Sequence, residues 1–262
     1  MGSINERETV QEQYKTADKL HTRISIHEKY STNKQGWGNW LFSQYSIFPK
    51  ARILELGCGT GDIWKSNLHR LDKSIALRLT DFSENMVSAA KAALGEQDFI
   101  SYDVVNIEDI PYAAASYDIV IANMMLYHVP DLNKGLSEVR RVLAEDGCFY
   151  CATYGENGIM PFIAGLLREY GVTDTTNKNF TLQNGCEILK EHFTEVQRLD
   201  YADSLAVTDI DDMLDYIETL SNMSQAAAVG RSTLKRVLEN EMRDGVLHVP
   251  KEYGMFICRK CE

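Results

Sequence analysis

Short apolar runs alternate along this chain with longer stretches of three-to-four spacing. Ile53–Leu56, Ala76–Thr80 and Tyr117–Asn123 are apolar for most of their length and end in glycine, aspartate or asparagine, the pattern of buried strands. Residues 5–22 repeat Val10, Tyr14, Ala17 and Leu20 at helical spacing, and Leu132–Leu143 predicts a helix closed by Gly147. Cys148–Thr153 then predicts a fifth strand. Ile159–Tyr170 and Thr181–Phe193 read as amphipathic helices, the second with Thr181 as its cap. Val196–Tyr201 and Gly254–Arg259 alternate as two final strands, separated by about fifty residues with helical signals at Asp209–Leu220 and Gly230–Arg243. Strands and helices in alternation predict an α/β fold.

The first strand runs directly into Gly57-Cys58-Gly59-Thr60-Gly61. Glycines at alternate positions allow positive φ and close approach to a ligand, and Asp62 and Lys65 open a helix just behind. The next strand ends in Asp81, about twenty residues beyond Gly61, where nucleotide-binding βαβ units carry the acid that receives ribose hydroxyls. A dinucleotide turn needs a third glycine where this chain has Asp62, and a carboxylate there repels a pyrophosphate. A cofactor with a ribose and a positive centre tolerates it.

On these residues the chain resembles the class I S-adenosylmethionine-dependent methyltransferases, in particular the small-molecule group that includes the quinone methyltransferases. Leu54-Glu55-Leu56-Gly57-Cys58-Gly59-Thr60-Gly61 resembles the family's first motif, and Thr80-Asp81-Phe82-Ser83-Glu84-Asn85-Met86 its second. Asn106-Ile107-Glu108-Asp109-Ile110-Pro111-Tyr112 is similar to a third motif that reads D-A-E-D-L-P-F; Tyr117–Asn123 followed by Met124–Asp131 is similar to F-D-V-V-V-S-N and L-H-H-L-P-D. The resemblance implies a Rossmann-like, mostly parallel seven-stranded sheet with the last strand antiparallel and helices on both faces. It implies S-adenosylmethionine as cofactor and S-adenosylhomocysteine as product. Glu55, Gly57, Cys58, Gly59, Gly61, Asp81, Phe82, Met86, Asn106, Ile107 and Asn123 are then the cofactor-binding residues. Asp81 takes the ribose, Phe82 and Met86 flank the adenine, and Asn123 lies beside the methionine part. Asn106 stands where the motif has an acid; its amide oxygen still accepts from the adenine amino group, without charge assistance.

The 262 residues are 44% hydrophobic, enough for a full core, and are expected to divide into a helical cap at 1–48 and a methyltransferase domain at 49–262 with a helical insert at about 203–252. A formal net charge of −11 and the lack of a Lys or Arg stripe argue against a nucleic-acid substrate. A small-molecule substrate and a cytoplasmic location are expected, since no signal peptide or membrane-length apolar run is seen and Met1–Glu6 lacks the Ser or Thr of a myristoylation signal. Oligomeric state is not legible. Cys148/Cys151 and Cys258/Cys261 have C-x-x-C spacing, but residues three apart on a strand face opposite ways, so no metal is expected. Cys58 reads as a small residue in the turn, with nothing near it in sequence to activate a nucleophile.

Substrate selection is expected from the chain ends. The stretch from His27 to Trp40 sets aromatics among glycines and polar groups, which suits a lid contributing Tyr30 and Trp37; the other reading is that Trp37, Trp40, Phe42 and Tyr45 dock a helix on the sheet. Asp209, Asp211, Asp212 and Asp215 read either as complements of a helix dipole or as a steering patch for a cationic amine. His128, beside Tyr127 on the carboxyl edge of the sheet, is the candidate general base if the acceptor must lose a proton; otherwise it packs the loop. Asn123-Met124-Met125-Leu126 is not an N-P-P-Y motif, which argues against adenine or glutamine-amide methylation. Two alternatives accompany methyl transfer to O, N or C: a non-methylating S-adenosylmethionine-binding protein on the same fold, and an NAD-type oxidoreductase, against which Asp62 counts.

Overall fold

The computed structural model describes residues 17–220 and 224–260. The predicted helix at residues 5–22 lies mainly outside that range, as do Met1–Glu6 and Cys261. Seven strands form one sheet: β1 Arg52–Leu56, β2 Ala76–Asp81, β3 Ile100–Val104, β4 Tyr117–Asn123, β5 Leu143–Tyr154, β6 Glu195–Val207 and β7 Leu247–Arg259. Their order is β3-β2-β1-β4-β5-β7-β6. β1 pairs parallel with β2 (Leu54 opposite Arg78) and with β4 (Leu54 opposite Val120), and β2–β3 and β4–β5 are also parallel. β7 is the antiparallel strand: Thr194 N donates to Arg259 O, and Gly254 lies against Leu199 O further along. The order reverses at β1/β4, the switch point where open α/β sheets hold ligands.

The chain forms two compact units. The larger comprises residues 37–153, 179–200 and 254–262. Its core gathers Ile53, Leu77, Leu79, Ile119 and Ile121 from the inner strands with Leu41, Phe42, Tyr45 and Trp64. The smaller comprises, among the described residues, 17–36, 154–178, 201–220 and 224–253. In it, α1 (Ala17–Tyr30) packs through Ile26 and Tyr30 on Met213, Leu214 and Ile217, and Leu205, Val207, Leu247 and Val249 close the same core. Helix α2 (Trp37–Gln44) belongs to the larger unit, where it buries Leu41 and Phe42 with Trp64.

The last two strands are longer than their sequence pattern suggests. The inward residues of the first half of β7 are Leu247, Val249 and Lys251, in strict alternation. Pro250, which cannot donate to a ladder, and a lysine at an inward position hide that period. β3 escapes an apolar reading because Ser101, Tyr102 and Asp103 are half-exposed. The helix expected over Ile159–Tyr170 stops at Leu166 and gives way to a 3-10 turn at Arg168–Tyr170. The one expected over Thr181–Phe193 forms only at Gly185–Lys190, since Thr181 Oγ1 accepts from the backbone of Gln183 and Asn184 and holds a turn first.

Candidate functional site

Three left-handed glycines build the loop after β1, and each is required for a different reason. Gly57 (φ 75°) faces Met125: a Cβ there would lie 2.9 Å from Met125 Cγ. Gly61 (φ 76°) faces Leu94 and Ala90, allowing helix Asp62–Asn67 to lie close to helix Glu84–Leu94. Gly59 (φ 54°) faces no protein atom within 4 Å. Cβ-free backbone beside open space is the condition for a ligand to lie against the chain. The loop is fixed from below: Cys58 N donates to Thr80 O (2.8 Å), and Gly59 N donates to Asp81 Oδ2 (3.0 Å). Asp81 Oδ1 accepts from Ser83 N (2.9 Å). Burial raises the Asp81 pKa, more than these backbone donors lower it.

Behind the loop lies a buried network. Glu55 is 3% exposed and accepts from Trp64 Nε1 and from Asn123 Nδ2 (3.3 Å); Asn123 Nδ2 also donates to Tyr45 Oη (2.8 Å). Burial pushes the Glu55 pKa up to about 7, the donors from Trp64 and Asn123 opposing it. Tyr45 is raised well above the phenol range, by burial first and by Glu55 second. Asn123 Oδ1 is buried and has no partner among the described residues. At the end of β4, Met124 adopts a left-handed φ of 53°, uncommon for a residue with a side chain and located where the strand meets the site.

The structure thus brings together Glu55, Gly57, Gly59, Asp81 and Asn123. Phe82 is half-buried just beyond Asp81, and Met86 is buried on the helix that follows. Asn106 Oδ1 accepts from Glu108 N (3.1 Å) in the turn to Asp109. Ile107 packs towards Gly135 on helix Leu132–Val142, which spends its side chain on the core. Burial raises the Cys58 thiol, which counts against a nucleophilic thiolate. Tyr127 is buried, and its ring centroid lies 4.5 Å from that of the half-buried His128.

The proposed lid residues belong to different units. Trp37 stacks on Trp40 at 5.3 Å and packs on the core of the larger unit, which is the helix-docking alternative. Tyr30 is buried in the smaller unit, and its hydroxyl donates to Asp212. The acidic cluster is likewise spoken for: Asp209 caps its helix, Asp211 pairs with Arg231 and Lys235, Asp215 with Arg231, and Asp212 with Lys29. Among the described residues no group of three or more His, Cys, Asp or Glu is arranged to hold a metal. Tyr45, Trp64 and Met125 were not anticipated as site residues. A tryptophan in the first turn of a short helix was the available signal for Trp64; Tyr45 lies 78 residues from its partner Asn123 and gave none.

Residues 54–151 match the family model described as "Methyltransferase domain". This stretch is similar to methyltransferase domains. A ubiquinone/menaquinone biosynthesis C-methyltransferase from Geotalea daltonii is 30% identical over 116 residues, 43% of this chain and 49% of that protein. A highly reducing polyketide synthase from Purpureocillium lilacinum is 34% identical over 109 residues, 38% of this chain and 4% of that protein. The chain therefore spans about half, or far less, of the length of these curated relatives. Among solved structures, phosphoethanolamine N-methyltransferase 2 of Haemonchus contortus, in complex with S-adenosyl-L-methionine, has a TM-score of 0.62 at 16% identity, covering 100% of this chain and 61% of that one; the likeness is one of fold.

The stretch that matches the methyltransferase model fits a sulfonium nucleotide on its own chemistry. An acceptor carboxylate at the end of β2, open backbone at Gly59 and an acceptor oxygen on Asn123 suit, in turn, a ribose, a closely approaching chain and an ammonium group. Asp62 stands at the mouth of the helix behind the loop, where a carboxylate repels a pyrophosphate.

Proposed function

We propose that this chain is an S-adenosylmethionine-dependent methyltransferase acting on a small-molecule acceptor at oxygen, nitrogen or carbon. The observation that carries the reading is Asn123 Oδ1, a buried acceptor with no partner among the described residues, in the network of Glu55 and Tyr45 behind the glycine loop. In this reading Asp81 holds the ribose, Phe82 and Met86 border the adenine, and Asn123 with Glu55 receives the ammonium of the methionine part. Asn106 contributes its turn more than its amide oxygen. The bound cofactor supplies an activated methyl on sulfur with a good leaving group.

The chain's own residues orient and desolvate. Gly57 and Gly59 let the backbone approach, and Glu55 and Asn123 hold polar groups in a buried setting where a fixed contact counts for more. His128, beside Tyr127 in the 3-10 turn after β4, takes a proton from an acceptor that must lose one. Residues 1–36, 154–178 and 201–253 serve acceptor selection, with the Rossmann-like domain generic. The acidic charge disfavours a nucleic-acid acceptor, no helix among the described residues is long and apolar enough to cross a membrane, and we assign the protein to the cytoplasm on that basis.

Calorimetric titration with S-adenosylmethionine and S-adenosylhomocysteine, with NADH as control, tests the reading. Micromolar binding of the sulfur nucleotides and none of NADH is expected. Binding of NADH alone, or of nothing, refutes it.

A further inference from the structure

Asn106 stands at the carboxyl edge of the sheet with one polar atom of its side chain engaged and the other open. It follows β3, which lies beside β2: Asp81 is opposite Val104 in the parallel register, and Val105 N donates to Asp81 O (3.0 Å). Asn106 is the residue just beyond that contact, on the side of Asp81 away from β1 and β4.

The amide is held in one orientation. Oδ1 accepts from Glu108 N (3.1 Å), and Asp109 N donates to Asn106 O (3.0 Å) across the same turn. Turning the amide over would set Nδ2 against the Glu108 N–H, donor against donor. Nδ2 is therefore the outer atom of the amide. The side chain is half-buried, and among the described residues Nδ2 has no hydrogen-bond partner, yet it is not one of the buried polar atoms left unpaired, so this donor is open to the edge of the sheet. The carboxylates next to it in the chain are engaged elsewhere: Glu108 Oε1 accepts from Asp131 N (2.8 Å), and Asp103 accepts from Val104 N and Tyr112 Oη (3.0 Å each).

We propose that Asn106 Nδ2 donates to an unprotonated ring nitrogen of the cofactor's nucleobase, so that this chain selects the base by a ring acceptor and not by its exocyclic amino group. The proposal rests on the methyltransferase reading, which supplies the nucleotide; what Asn106 asks of that nucleotide comes from the turn itself.

Strand order gives the direction. With the ribose on Asp81 at the end of β2 and the ammonium at Asn123 at the end of β4, the base lies on the far side of the ribose and extends towards β3. Phe82 and Met86 then border its face, and Asn106 meets its edge. A purine edge carries ring nitrogens that accept and, in adenine, an amino group that donates. A donor left open by the protein pairs with the first kind. A carboxylate at this position would do the opposite: it only accepts, so it would receive from the amino group and repel the lone pair of a ring nitrogen. Asparagine and aspartate are nearly the same size, and either side chain can accept from Glu108 N and close the turn. Exchanging one for the other changes what the turn reads and keeps its shape.

The probes are S-adenosylhomocysteine and its 1-deaza, 3-deaza and 7-deaza analogues, in each of which C–H replaces one ring nitrogen, titrated calorimetrically into the wild-type protein and Asn106→Asp. In the wild type one analogue is expected to bind about tenfold more weakly than the parent nucleotide, because the donor has lost its acceptor. In N106D the same analogue is expected to bind as tightly as the parent or more tightly, since a carboxylate gains nothing from a ring lone pair. Equal binding of the parent and all three analogues by the wild type, or a deficit of the same size in both proteins, overturns the proposal. A turn that merely supports the loop would move all four ligands together in N106D and leave their ratios unchanged. If N106D does not fold, the side-chain amide protons of Asn106 in the wild type decide by NMR: a downfield shift with S-adenosylhomocysteine that is absent with the weaker analogue supports the contact, and unmoved resonances refute it. Binding of the parent nucleotide with no preference over any analogue refutes this proposal alone; failure of the parent to bind the wild type refutes the methyltransferase reading and this proposal with it.

Discussion

Two glycines two residues apart should respond to the same substitution differently, one chiefly in stability and the other chiefly in ligand affinity. Gly57→Ala places a methyl group 2.9 Å from Met125 Cγ and 3.0 Å from Met125 Cβ, at a φ of 75°. The left-handed backbone costs an alanine about 1–2 kcal/mol, and displacing a packed side chain adds about 1–3 kcal/mol. The loss of stability is therefore about 2–5 kcal/mol. Gly59→Ala carries only the backbone term, since nothing lies within 4 Å of its added methyl. That methyl enters the open side of the loop, and affinity for S-adenosylhomocysteine should fall at least about tenfold, or about 1.4 kcal/mol. Urea unfolding measures the first effect and calorimetric titration the second. In a Met125→Ala background the excess cost of Gly57→Ala should shrink, because the 2.9 Å contact with Cγ has gone and only the 3.0 Å contact with Cβ remains. The reasoning is refuted if the two variants are equally stable, or if Gly59→Ala binds the nucleotide as tightly as the wild type.

Two further predictions concern the carboxylates. Asp81→Ala should weaken S-adenosylhomocysteine binding by about 10–30-fold and also destabilise the larger unit by about 1–2 kcal/mol, because the same carboxylate accepts from Gly59 N and Ser83 N; unchanged affinity by calorimetry would remove the ribose assignment. Glu55 has a folded pKa of about 7 against an ordinary 4.5, so the fold favours its protonated form. Its contribution to stability is present in full below the unfolded value and is lost as pH rises through about 7, a change of roughly 3 kcal/mol. Glu55→Gln should therefore gain on the wild type between about pH 5 and pH 8 when urea unfolding of the two is compared, and a constant difference across that window would contradict the assignment.

The sequence disclosed the parts of the site that lie close together in the chain. Gly57, Gly59 and Gly61 are read from one pentapeptide, and Asp81 from the end of the next apolar run, because parallel strands joined by one short helix keep fixed offsets. Partners distant in sequence were not disclosed. Tyr45 joins Asn123 across 78 residues, and Met125 fills the space that Gly57 leaves, contacts that depend on the closed sheet and have no local spacing. Trp37 and Tyr30 read as lid residues because exposed and docked aromatics have the same pattern; burial alone distinguishes them, and it places one beside Trp40 and the other on Asp212.

The bonds from Cys58 N to Thr80 O, from Gly59 N to Asp81 and from Gly61 N to Cys58 O mean that the ligand loop is tied down before any ligand arrives. A nucleotide entering it does not have to order the backbone, so little conformational entropy is lost on association and the encounter is not gated by loop folding. The amide of Gly59 should exchange slowly with deuterium in the ligand-free protein, at a rate set by opening of the sheet itself.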